Sequence, residues 1–134
     1  MTIVDTNVLV DVLSDDPVWR DWSADKLDER GKLGPLCVDD IIYAELASRV
    51  DNEATLHQLL DELGIRLERV PVSALFLAGH AFRRYRAGGG PRRSLLSDFF
   101  IGAHAEVAGL AILTRDVRRY RAYFPKVELI APEP

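Results

Sequence analysis

Short apolar runs alternate with segments of helical periodicity along this 134-residue chain, and this alternation limits its possible folds more than any other feature. The runs that favour β-strands lie at residues 2–4, 36–38, 65–70, 110–113 and 127–130. Parallel neighbouring strands need a crossover connection, usually a helix, so this alternation is typical of parallel sheets. The sequence therefore predicts an α/β fold with a parallel sheet and helices on both faces.

The segments with the spacing of amphipathic helices cover residues 8–13, 17–30, 41–48, 53–63, 72–86, 98–108 and 118–124. Gly31 is expected to help end the second of them. In the segment 72–86, the expected buried side consists of Leu75, Phe76, Ala78, Gly79 and Phe82. Residues 65–70 alternate apolar and charged side chains, which predicts an exposed or edge strand.

The composition fits one folded domain, residues 1–134, because a chain of this length with 48% hydrophobic residues can bury a core. A single cysteine, Cys37, leaves neither a disulfide framework nor a cysteine zinc site. The early acids Asp5 and Asp11 do not fit a signal peptide, and no apolar run has the length of a membrane span. We therefore expect a cytoplasmic protein.

The net charge of −4 hides an uneven distribution. Residues 1–82 contain 16 acids and seven Lys or Arg, whereas residues 83–121 contain nine arginines and three acids. A local block of arginines favours an anionic partner, although a solvated charged face would give the same pattern.

Acidic residues stand at positions where α/β proteins place their ligand sites. Asp5 and Asp116 follow predicted strands, and ligands of open parallel sheets bind at the carboxyl ends of the strands. Asp98 lies in the first turn of a helix, on a face that Gly102 keeps small, so something can approach closely there. Glu45 lies beside the apolar stripe of another helix. As alternatives to a ligand site, the aspartates would only cap helices and Glu45 would face solvent.

If these four acids converge, a cation has to offset their mutual repulsion. Carboxylate oxygens are the ligands that Mg²⁺ or Mn²⁺ takes, and such an ion can lower the pKa of a bound water and polarise a phosphoryl oxygen. The pattern is therefore compatible with metal-dependent phosphodiester hydrolysis.

Four segments in order resemble the acidic motifs of the PIN-domain nucleases, and among these the VapC toxins of type II toxin–antitoxin systems. They are residues Ile3–Asn7, Ala44–Leu46, Asp98–Ala105 and Leu113–Asp116. The likeness in order, spacing and length covers nearly the whole chain. It implies a PIN-like three-layer α/β/α fold with a central parallel sheet.

The resemblance also implies a Mg²⁺- or Mn²⁺-dependent endoribonuclease that is inhibited by a VapB-type antitoxin and is usually a homodimer. It implies that Asp5, Asp98 and Asp116 are metal-site carboxylates and that Glu45 is the fourth acid of the catalytic set. The hydrogen-bonding residues implied to support this site are Thr6, Asn7 and Thr114.

The arginines near the motifs are the candidates for holding an RNA substrate: Arg92, Arg93, Arg115, Arg118 and Arg119. They lie within a few residues of Asp98 or Asp116 and could frame a cleft. Trp19 and Trp22 belong either to the core or to a groove for an antitoxin helix. A second class of function stays open, namely a non-catalytic protein of the same fold that binds RNA or a partner chain.

Overall fold

A computed structural model of the chain describes residues 1–90 and 96–134. Its strands are β1 (Thr2–Val4), β2 (Leu36–Val38), β3 (Ile65–Leu67), β4 (Ala111–Leu113) and β5 (Leu129–Ile130). Its helices are α1 (Thr6–Leu13), α2 (Arg20–Leu33), α3 (Asp40–Ala47), α4 (Glu53–Glu62), α5 (Val72–Ala87), α6 (Ser97–Ala108) and α7 (Arg118–Tyr123). None of the helices in these two ranges is both long and apolar enough to cross a lipid bilayer.

The strands of the described residues form one parallel sheet in the order β3-β2-β1-β4-β5. Ile3 of the central β1 pairs with Cys37 on one side and with Ile112 on the other. Helices cover both faces, which buries every residue of β1, β2 and β4. The predicted three-layer α/β/α architecture is confirmed.

The edge strand β3 is where the alternating sequence places it, but it ends at Leu67 and not at Val70. Ile65 is buried while Leu67 is exposed. This partial exposure fits an edge strand, which pairs with another strand on one side only. The backbone N–H of Val70 donates to the Asp40 carboxylate at 2.9 Å, and this side-chain bond takes the chain out of the strand.

The predicted buried face of α5 is partly wrong. The fully buried residues of this helix are Ala74, Ala78 and Ala81, whereas Phe76 is 70% exposed and Leu75 44% exposed. Gly79 is exposed as well, and Phe82 is half-buried. The alanine stripe faces inward because α5 packs closely on α6, and small side chains permit that approach.

The second helix begins and ends later than predicted. Asp16 accepts bonds from the backbone N–H groups of Val18 and Trp19 at 2.9 and 2.8 Å, which holds a turn before α2 begins at Arg20. The helix continues through Gly31 to Leu33, because a single glycine costs a helix only about 1 kcal/mol.

Candidate active site

The carboxyl ends of β1 and β4 lie side by side, and a cleft of about 410 Å³ opens beyond them. We call it the acid cleft. Its lining residues are Asp5, Thr6, Asn7, Val10, Asp11, Asp16, Glu45, Arg49, Asp98, Arg115 and Asp116. The structure therefore brings together the four acids singled out in the sequence, which lie on four different segments of the chain.

Asp5 is the most enclosed of the four, with 6% of its surface exposed. Its Oδ1 accepts the Thr6 backbone N–H at 2.8 Å. Its Oδ2 accepts the hydroxyl groups of Thr114 and Tyr120, at 2.9 and 2.8 Å. Burial raises the pKa of Asp5 to about 6, and the charge of Asp98 adds to this, although the hydrogen bonds oppose it.

A hydrogen-bond network ties the loop after β4 to the start of α1. The Thr114 hydroxyl accepts the Asn7 side-chain amide at 3.2 Å and the Asp116 backbone N–H at 3.1 Å. The Asn7 amide oxygen accepts the Arg115 backbone N–H at 3.1 Å. Asn7 and Thr114 thus fix the relative positions of the segments that carry Asp5 and Asp116.

Glu45 faces the acid cleft from α3 and is held there by two hydroxyl groups. The Thr6 hydroxyl donates to its Oε1 at 2.7 Å, and the Ser97 hydroxyl donates to its Oε2 at 3.2 Å. This geometry contradicts the alternative of a solvent-facing glutamate.

Asp98 lies in the first turn of α6, and 29% of its side chain is exposed. Burial raises its pKa, the positive charge of Arg119 opposes that rise, and Asp116 and Glu45 add to it. The Arg119 Nη1 lies 3.5 Å from the Asp98 Oδ2. The small face of this helix is filled by the protein itself, because a Cβ atom on Gly102 would overlap the ring of Phe124.

A buried side-chain contact joins the two helices that carry Glu45 and Asp98. The Nδ1 of His104 on α6 lies 3.1 Å from the Oδ2 of Asp39, and both side chains are at most 3% exposed. The other oxygen of Asp39 caps α3 by accepting the N–H groups of Ile41 and Ile42. The contact therefore helps to fix the spacing between α3 and α6.

The four acids of the acid cleft offer the type of ligand atom that binds a hard divalent cation. All four are carboxylates, and the pKa values of Asp5 and Asp98 are raised in part by neighbouring acids, a repulsion that a cation would relieve. As these side chains lie, no group of three acidic, histidine or cysteine residues in the ranges 1–90 and 96–134 is arranged to hold one ion. The fit is therefore one of donor type and location, and metal binding would require side-chain adjustment.

The arginines selected from the sequence have different surroundings. Arg115 donates to both oxygens of Asp11, at 2.6 and 2.9 Å, and lies over the ring of Trp19. Arg118 is 88% exposed, with its Nε 3.7 Å from Asp116. Arg92 and Arg93 lie outside the described residues.

Sequence reasoning missed several residues of this region, among them Tyr120, Asp11 and Arg49. Tyr120 donates to Asp5, and nothing in its local sequence indicates that contact. Asp11 and Arg49 line the acid cleft. Asp11 could have been found, because it follows Asn7 by four residues and therefore shares a face of α1 with it.

The comparisons with known proteins agree with this fold. The sequence model of the PIN domain matches residues 2–125. The chain therefore belongs to the PIN-domain family, as the four acidic motifs predicted.

Solved structures of the same fold include chains of VapBC complexes and of a toxin–antitoxin complex. A chain of VapBC2 from Rickettsia felis, bound to a DNA fragment from its promoter, is similar with a TM-score of 0.74 and 18% identity over 98% of each chain. A chain of VapBC-1 from nontypeable Haemophilus influenzae gives 0.71 and 17%, covering 97% of this chain and 96% of that one. A toxin–antitoxin complex from Klebsiella pneumoniae gives 0.69 and 18%, covering 99% and 98%. No curated protein matches the sequence significantly.

Proposed function

We propose that this protein is a metal-dependent endoribonuclease toxin of the VapC type, which hydrolyses RNA phosphodiester bonds and is inhibited by a cognate VapB-type antitoxin. The observation that carries the proposal is the convergence of Asp5, Glu45, Asp98 and Asp116 on one cleft at the carboxyl ends of parallel strands. A non-catalytic binding protein would have no need to gather four mutually repelling acids.

Asp5, Asp98 and Asp116 would hold Mg²⁺ or Mn²⁺, with Glu45 as the fourth catalytic acid. When bound, the ion supplies activation of a water molecule and polarisation of a phosphoryl oxygen. Thr114 and Tyr120 hold one oxygen of Asp5, while Thr6 positions Glu45. Preformed hydrogen bonds of this kind keep acidic ligands oriented at low cost.

The RNA would be held by positive charge at the rim of the acid cleft, because the acids themselves repel a phosphate backbone. Arg118 is the best placed of the described candidates, since its side chain is 88% exposed beside Asp116. Arg115 contributes charge, but Asp11 takes two of its donors. Arg119 remains a candidate with its contact to Asp98. Arg92 and Arg93 keep their proposed role as substrate contacts.

The proposed partner is an antitoxin, because chains of this fold occur in VapBC complexes. Trp19 and Trp22 are half-buried and meet edge to face, with ring centroids 6.0 Å apart. We propose that an apolar antitoxin helix packs on this pair. A homodimer and a cytoplasmic location complete the proposal.

Cleavage of mixed RNA with and without EDTA tests the proposed activity. We expect cleavage to stop in EDTA, to return with Mg²⁺ or Mn²⁺, and to return poorly with Ca²⁺, which prefers more ligands and looser geometry. Asp116→Asn should be inactive, whereas Asp21→Asn, which removes the charge of an acid that is 92% exposed, should match the parent. Full cleavage in excess EDTA would contradict the metal requirement. Binding of RNA without cleavage under every metal would favour the non-catalytic alternative.

Co-expression with the adjacent small open reading frame tests the partner. We expect a complex that survives purification and relief of any growth arrest. Trp22→Ala should weaken this complex, while Leu33→Ala, a change at an exposed apolar residue on the same helix, should not.

A further inference from the structure

The short helix α7 delivers two neighbouring side chains to two different acids of the site. The Tyr120 hydroxyl donates to Asp5 at 2.8 Å, and the Arg119 Nη1 reaches Asp98 at 3.5 Å. The tyrosine contact is short and buried. The arginine contact is long and half-exposed, with 33% of the Arg119 side chain open to solvent. The two contacts therefore differ in how easily another ligand could replace them.

Arg119 is incompletely satisfied where it lies. Its Nε is buried and has no hydrogen-bond partner in the described structure. Its guanidinium group lies over the ring of Tyr85, with 5.5 Å to the ring centroid. A buried donor without a partner costs free energy, so the contacts of Arg119 in this position leave it imperfectly satisfied.

Arg119 gives Asp98 only one long contact, 3.5 Å from its Nη1 to the Asp98 Oδ2. The Asp98 carboxylate shares the acid cleft with Asp5, Glu45 and Asp116, whose negative charges repel it. A small divalent cation carries twice the charge and can contact several carboxylates at once. It would therefore compete well for the oxygen that Arg119 now contacts.

We propose that Arg119 is an internal counter-ion of Asp98 that a divalent cation has to displace in order to bind the acid cleft. This inference rests on the metal requirement of the proposed function. It makes Arg119 a residue that sets metal affinity, in addition to its candidacy as a substrate contact. The protein would need a higher concentration of free metal than the same carboxylates would need without the arginine.

Calorimetric titration of Mn²⁺ into the parent protein and into Arg119→Gln tests the proposal without reference to catalysis. Removal of the competing charge should tighten Mn²⁺ binding by roughly three- to fivefold, the upper part of the range expected for loss of a half-exposed ion pair. Arg119→Lys keeps a positive charge and should stay within about twofold of the parent.

Arg121→Gln is the matched control, because it removes the same charge from an exposed position of α7. It should change Mn²⁺ affinity by less than about twofold, since a solvated charge acts weakly at a distance. An equal gain in Arg119→Gln and Arg121→Gln, or weaker binding in Arg119→Gln, would overturn the inference and leave the proposed metal site standing. If neither the parent nor any variant bound Mn²⁺, the metal assignment itself would be wrong. Binding by Arg119→Gln alone would support the inference most directly.

Discussion

Two of the arginine–aspartate pairs at the acid cleft have a guanidinium group that lies over an aromatic ring. Arg115 contacts Asp11 through Nε and Nη2 at 2.6 and 2.9 Å, with the Trp19 centroid 5.0 Å away. Arg119 contacts Asp98 through one nitrogen at 3.5 Å, with the Tyr85 centroid 5.5 Å away. The same residue types therefore form one tight pair and one loose pair.

The difference comes from what surrounds each carboxylate. Asp11 is 2% exposed and also accepts the Ser23 hydroxyl at 2.7 Å, so its oxygens are fully used within the protein. Asp98 is 29% exposed and faces other acids. A bidentate ion pair on a buried carboxylate holds two segments of the protein together. A single long contact beside other acids leaves the carboxylate available to another ligand. The first pair braces α1 against the loop after β4, and the second lies in the proposed metal site.

Asp98→Asn should have the largest effect on activity and little effect on folding. The amide keeps the shape but removes a proposed metal ligand, so we expect RNA cleavage in Mg²⁺ to fall by at least about 100-fold. The melting temperature in EDTA should rise, because like charges no longer meet in the acid cleft. Initial rates and thermal unfolding measure both. Cleavage close to that of the parent would remove Asp98 from the site.

Asp11→Ala should mainly lower stability, whereas Asp98→Asn mainly lowers activity. It leaves Arg115 and Ser23 without their shared acceptor, and we expect the free energy of unfolding to fall by about 3–5 kcal/mol. Asp98→Ala should change the free energy of unfolding by less than about 1 kcal/mol in either direction, because its pair with Arg119 is half-exposed and the removed charge also repels the other acids. Urea unfolding in EDTA compares the two. Equal losses would mean that the tight and the loose pair do not differ as described.

The pH dependence of the free energy of unfolding should reveal the raised pKa of Asp5 in the acid cleft. The pKa of Asp5 is 3.8 in the unfolded reference and about 6 in the folded protein, so the folded state binds the proton more tightly. In EDTA, stability should therefore fall as the pH rises from about 4 to above 6, by up to about 3 kcal/mol. Asp5→Asn should lack most of this decline. A parent protein that gains stability across that window would contradict the raised pKa.

The smallest effect concerns RNA binding at the rim. In an Asp98→Asn background, which prevents cleavage, Arg118→Ala should lower the slope of log affinity against log salt by about 0.7. Arg115→Ala should lower it less, because Asp11 already holds two of its donors. Affinity measured at several salt concentrations decides between them. A larger change for Arg115 would show that the tight pair opens to meet RNA.

The sequence determined the sheet, the order of its elements along the chain and the location of the site. Strand and helix periods are local properties of the chain, so they can be counted without knowledge of tertiary contacts. Asp5 and Asp116 both follow predicted strands, which placed them at the edge of a parallel sheet where ligands bind. That they meet depends on β1 and β4 being neighbours, which the structure decided. The sequence pattern also singled out Glu45 and Asp98, the resemblance to PIN-domain motifs assigned them roles in the site, and all four acids line one cleft.

Tertiary structure alone decided which face of α5 is buried and which partner each arginine has. The apolar residues of α5 surround the helix too broadly to select one face, and close packing on α6 selected the alanines Ala74, Ala78 and Ala81. Arg115 and Arg119 look equivalent in the sequence, but their partners are 104 and 21 residues away. Contacts across such separations depend on how the helices pack, and no local pattern encodes them.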